Sequence, residues 1–243
     1  MSKESVFLGY PEDFQTKFLI YPPKVKDVVS NKKFNQYRQL LTFSQEELDD
    51  EFLKKQSSAP TPLEFLLSNS YHNKDFEKLA KDAFYLFTHQ DVTFLYDKKL
   101  ILVGKLDKEL KRVKNLNDLI FLDETNFFSF QNKIRESLGD KPIEPPNPNE
   151  HPKIRRMKAK ARYRDKIKAK QGSGINLLTS LASICCMGIG ITPLNIGEIS
   201  YASVGILMNT YQNKEKYETD IASIQAGADA KKVNPKYWIK NLE

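Results

Sequence analysis

The residues best suited to do chemistry lie in one run. Between Lys153 and Lys170 the sequence KIRRMKAKARYRDKIKAK holds ten Lys or Arg and a single acid, Asp165, for a local charge of +9. The whole chain carries +7, so everything outside this run sums to −2. A mildly acidic protein with one basic stretch points to a macromolecular partner more sharply than its overall charge does. Cations at this density can neutralise phosphates, and binding of that kind weakens steeply with salt. They can equally steer an acidic protein partner or stay solvated on a helix face. Tyr163 is the only aromatic side chain in the run that could stack on a base, so the aromatic interleaving of a single-strand binder is slight.

The remaining reactive side chains form no catalytic constellation. His72, His89 and His151 are far apart and fit no metal-ligand spacing. Adjacent Cys185 and Cys186 cannot readily form an ordinary bridge and offer no CxxC or Cys/His pattern for zinc, which points to a reducing compartment. The basic run lies near Cys185 in sequence, but its immediate neighbours are apolar, and apolar surroundings raise a thiol pKa. A buried, inert Cys185 is therefore expected. Gln171-Gly-Ser-Gly174 lacks the frame of a phosphate loop and reads as a hinge. These residues predict a binding protein, not an enzyme, with no catalytic residues, metal or cofactor.

The elements that would position these residues begin with Phe18-Leu19-Ile20-Tyr21, a strand or extended segment stopped by Pro22 and Pro23. Ser44-Gln-Glu-Glu47 has capping-box form, and Thr61-Pro62-Leu63-Glu64 adds a proline at the first helical position. From Asp75, residues Phe76, Leu79, Ala80, Ala83, Phe84 and Phe87 share one helical face. Two β-rich runs between Val92 and Val103 flank a polar tripeptide and predict a hairpin, which needs a covering helix. Asn126 to Arg135 predicts a short helix ending near Gly139.

Residues 141–152 read KPIEPPNPNEHP, whose five prolines favour an extended connector and mark the domain boundary. The basic run beyond it is rich in helix formers. Ile175 to Leu194 approaches the length of a bilayer span, but Asn176, Thr179, Ser180, Ser183 and Thr192 argue for a buried helix instead. Asn195-Ile-Gly-Glu198 is expected to cap a helix running through Tyr201, Val204, Leu207, Met208 and Tyr211. Asp229, Tyr237 and Trp238 form an end-of-chain cluster, which would either anchor a partner or fold back on the core. The charged, proline-containing start MSKESVFLGYPEDF is unlike a signal peptide.

The segments RYRDKIKAKQGSG, ICCMGIGITPLNIGEISY, YQNKEKYETDI and AGADAKKVNPKYWIKNL together resemble small proteins of tailed-bacteriophage structural modules. The likeness is to the tail assembly chaperone class and covers roughly residues 150–243. It implies a transient protein that keeps the long tape-measure protein soluble and helps recruit tail-tube subunits. Members of this class often have an extended, frameshifted form. A baseplate or hub assembly factor, or a minor virion component, fits the same resemblance. The mixed region of about 140 residues ahead of it departs from the simplest members.

The resulting expectation is an α+β chain: a mixed N-terminal region with a β-hairpin over 1–140, a proline-rich linker over 141–152, and a mostly helical domain over 153–243 with a basic first helix. Its function would be phage tail or baseplate assembly through a phage structural protein, namely the tape measure, tail tube or a baseplate component. Arg155, Arg156, Arg162, Arg164, Tyr237 and Trp238 are the candidate contact residues. Nucleic-acid binding through 153–170 is the alternative. No membrane partner is expected, a homo-oligomer is compatible, and the host cytoplasm or the virion is the expected location.

Overall fold

The computed structural model describes residues 1–15, 17–53, 59–104, 120–145, 149–151, 153–154, 157–158, 160–161, 164 and 176–237. Its class is α+β, as the sequence predicts. Helix α1 (Lys3–Leu8) starts on Ser2, whose hydroxyl accepts from the Ser5 amide. Strands β1 (Glu12–Phe14) and β2 (Phe18–Ile20) then pair antiparallel, Phe14 opposite Phe18. Helices α2 (Val25–Ser30), α3 (Phe34–Thr42) and α4 (Gln45–Leu53) follow. Next comes α5 (Pro62–His72), where the Thr61 hydroxyl accepts from the Glu64 amide in the capping box that the sequence announces. Helix α6 (Lys74–Thr88) is capped by Asn73 and turns Ala80, Ala83, Phe84 and Phe87 into the core.

The predicted hairpin is present as β3 (Val92–Leu95) and β4 (Leu100–Val103), with Val92 opposite Val103. Its turn is a short 3₁₀ stretch over Tyr96–Lys98 that closes on Lys99 in the left-handed region. A third strand, β5 (Ile120–Leu122), pairs antiparallel with β4 and was not foreseen. Helix α7 (Phe127–Ser137) then lies across the core. Aromatic rings from β1, β2, α6 and α7 meet there: Phe130 stacks on Phe84 at 5.3 Å and meets the edge of Phe14 at 5.8 Å.

The chain beyond the proline-rich stretch packs against the N-terminal region. The first part of the connector is pinned to α7, because the Asn132 amide side chain both donates to the Ile143 carbonyl and accepts its N–H, each at 2.9 Å. Further on, α8 (Leu177–Cys186), a 3₁₀ turn (Ile196–Glu198) and α9 (Tyr201–Gln225) follow, then a short α10 (Ala230–Val233). Ile184, Ile196 and Val204 from this part bury a second, smaller apolar cluster with Val25 of α2. The N–H of Val25 donates to the Ile199 carbonyl and that of Tyr201 to the Pro23 carbonyl. Burying apolar surface between α2, α8 and α9 is what joins the two parts.

Gly139 marks a second close approach between the parts. It sits at φ +79°, and a Cβ built there would lie 3.1 Å from the Cβ of Ala202. Gly139→Ala is expected to cost about 1–2 kcal/mol from the left-handed backbone alone, read as a lower urea midpoint. An unchanged midpoint would mean that Gly139 does not hold the left-handed conformation.

Candidate functional site

Of the predicted contact residues, Arg155, Arg156, Arg162 and Trp238 lie outside the described residues. So does the Gln171-Gly-Ser-Gly174 hinge. Arg164 is described and exposed, as are Lys153, Ile154, Met157, Lys158, Lys160 and Ala161. Lys158 reaches back to Glu150 at 2.5 Å. Tyr237 packs its ring edge-on against Tyr217 of α9, with centroids 5.5 Å apart. Its ring is therefore tied to α9 while still half-exposed. Asp229 is engaged in structure, its carboxylate accepting from the Lys231 amide as the N-cap of α10.

Three expectations in this region are corrected. Cys185 is only partly buried and Cys186 is exposed, because α8 turns one face to the Val25–Ile184 cluster and leaves the other uncovered. For the same reason the stretch 175–194 is not a buried helix: within α8 only Ile184 is fully enclosed. Among the described residues no helix is long and apolar enough to cross a membrane. Asn195 does not cap α9 either. Its side chain accepts from the Thr192 amide and donates to the Gly190 carbonyl, shaping the turn before the 3₁₀ stretch. The cap of α9 is Ser200.

The three histidines are exposed. His89 lies flat on Tyr21 at 4.0 Å, His72 meets the Tyr71 ring edge-on, and His151 Nδ1 accepts from the Lys153 amide. No group of three or more His, Cys, Asp or Glu among the described residues is placed to hold a metal ion.

The most distinctive feature is the surface built by α8, the following loop and α9. Helix α9 has 25 residues, about 37 Å at the usual rise. Only Ala202, Ser203 and Val204 in its first turn are buried. Beyond them Leu207, Met208, Tyr211, Tyr217, Ile221 and Ile224 are all partly exposed. On α8, which packs against α9, Leu178 is 76% exposed, and in the loop that follows Ile189 is half-exposed and Leu194 97% exposed. Exposed apolar side chains grouped in this way mark interaction surfaces in soluble proteins.

The base of α9 is held firmly. The Ser200 hydroxyl accepts from the Ser203 amide and donates to the Val6 carbonyl at 2.7 Å, joining α9 to α1. Ser203 Oγ donates to the Phe7 carbonyl. Outside, Glu198 accepts from both Lys24 and Lys26 at 2.8 Å. Those two ammonium groups hold its carboxyl down at about 2, so this tether is present above the ordinary glutamate range and is lost only as pH falls through about 2. The signal for this cap in the sequence is serine itself, a favoured N-cap residue, standing directly before the helical run at Tyr201.

No protein family, curated protein or solved structure matches the chain.

Proposed function

We propose that this protein is an assembly factor of a tailed bacteriophage that binds a helical structural partner, the tape-measure protein, through α8, the 187–199 loop and α9. The observation that carries this reading is a long helix buried only in its first turn, packed against α8, with Leu178 of α8 and Ile189 and Leu194 of the loop after it exposed. A helical partner laid along such a surface would cover apolar groups that are now wet, the usual source of affinity in helix recognition. The resemblance of residues 150–243 to tail assembly chaperones names the class of partner. A rigid base with a projecting arm suits a holdase, since the arm is available while the body stays folded.

The basic run supports a second reading, nucleic-acid binding. Every described residue between 153 and 164 is exposed, so its cations are accessible to a polyanion. In the assembly reading the same charges steer an acidic partner and set register.

The double variant Leu178→Glu with Leu194→Glu separates surface from scaffold, because neither side chain is buried. Co-expressed with the tape-measure protein, it is expected to retain wild-type circular dichroism and to capture at least about tenfold less partner, since desolvated apolar contacts carry most of the affinity. Undiminished capture would remove the α8–α9 surface from the function.

A further inference from the structure

A cleft of about 770 Å³ opens between α3, α4, α5 and the end of α7. One wall is apolar and aromatic: Phe43 and Phe65 meet edge-to-face at 5.3 Å, and both remain partly exposed to the cleft. The cleft is also lined by the cations Arg38, Arg135 and Lys141 and by the carboxylates Glu47, Glu51 and Asp140. Arg38 is already satisfied, its Nη2 donating to both oxygens of Asp140 at 2.9 and 2.7 Å. Arg135 is different. It is half-buried in the last turn of α7, and among the described residues its guanidinium donates to no acceptor.

The carboxylates nearest in charge to Arg135 are committed elsewhere. Asp140 is held by Arg38, and Glu47 accepts from the Ser44 amide and hydroxyl at the start of α4. Burial pushes the Arg135 pKa below the ordinary arginine range; Arg38 adds to that, while Glu47 and Asp140 oppose it. A guanidinium has five N–H donors in a planar fork, and withdrawing it from water without an acceptor is unfavourable. An incoming carboxylate would satisfy it in the paired geometry that arginine favours. The volume is that of a small-molecule or side-chain pocket, lined by both polar and apolar groups.

We propose that this cleft binds a carboxylate carried on an apolar body, with Arg135 pairing the carboxylate and Phe43 and Phe65 receiving the apolar part. Two sources of that chemistry exist, a free organic acid and the acidic side chain of a peptide. The test uses 4-phenylbutyrate for the first, the blocked dipeptide acetyl-Phe-Asp-amide for the second, and uncharged 4-phenylbutyramide as the control. Binding is measured by calorimetry on the full chain. At least one acid is expected to bind, with the tighter one naming the source, and the amide to bind at least about tenfold more weakly.

Arg135→Met is expected to abolish the preference for acid over amide. Because it removes a half-buried charge that has no acceptor, it should leave the melting temperature equal to or above wild type. Arg135→Lys keeps the charge but not the fork and is expected to bind the acid several-fold more weakly. Three results would overturn the proposal: no binding of either acid, equal binding of acid and amide, or an unchanged acid preference in Arg135→Met. None of these outcomes depends on whether α9 binds a partner.

Discussion

Phe130→Ala is expected to destabilise the protein by about 3–5 kcal/mol, a large share of the roughly 5–15 kcal/mol that separates a typical folded domain from its unfolded chain. Phe130 is fully buried. Its ring touches four others: Phe84 stacked at 5.3 Å, Phe14 edge-on at 5.8 Å, and Phe18 and Phe127 tilted at 6.1 Å. Those rings come from β1, β2, α6 and α7, so no single element can shift to fill the cavity left behind. That places the expected cost toward the upper end of the range. Urea denaturation should show the midpoint fall by about 1–2 M. Phe130→Leu, which keeps most of the volume, should cost less than about 1.5 kcal/mol. Similar midpoints for the two variants would mean that the rings do not form one packed unit.

Ser200→Ala is expected to cost about 2–3 kcal/mol, with the loss concentrated at the base of α9. The side chain is 2% exposed and serves two elements at once. Its removal deletes the N-cap of α9 and takes from the Val6 carbonyl its donor on that helix. Hydrogen exchange distinguishes this from a global effect. The amides of Tyr201 and Val25, which donate to Pro23 and Ile199 across the same junction, should lose protection first. Amides in the middle of α6, such as that of Phe84, should change only by the global amount. Uniform loss at all three would make Ser200 an ordinary core residue instead of the hinge pin of α9.

How far the fold was legible in the sequence follows from the range of the interactions involved. The capping box at Thr61 and the one-sided spacing of Ala80, Ala83, Phe84 and Phe87 are local signals, and α5 and α6 appear where they point. The β3–β4 hairpin is likewise local, its polar tripeptide supplying the turn. Strand β5 escaped because its partner β4 lies beyond residues 105–119, too far for a hairpin rule to reach. Whether the two parts join was not legible in the sequence for the same reason. Ser200 meets Val6 across 194 positions of sequence, while the prolines of 141–152 report only that their own stretch forms no regular pairing.

The candidate site was legible only in part. Charge counting located the basic run, and the described part of it is exposed. The apolar run 175–194 was read as buried because composition cannot say which face of a helix finds a neighbour. Its exposed Leu178 and Leu194 became visible only once α2 and α9 were seen to cover one side of α8 and no more. Arg135 looked like an ordinary helix-ending cation, which it is by sequence. Its distinction comes from Asp140 and Glu47 being engaged with other groups.

We propose that this protein holds a helical structural partner through apolar contact, with charge in a supporting role. The most direct test is purification of the tagged protein from infected cells, washed in parallel at low and at high salt, with proteins and nucleic acid both identified. The account predicts a long helical tail protein retained through the high-salt wash, because apolar burial is not screened by ions. Nucleic acid released between the two washes with no protein partner at either would contradict it and place the function in the basic run.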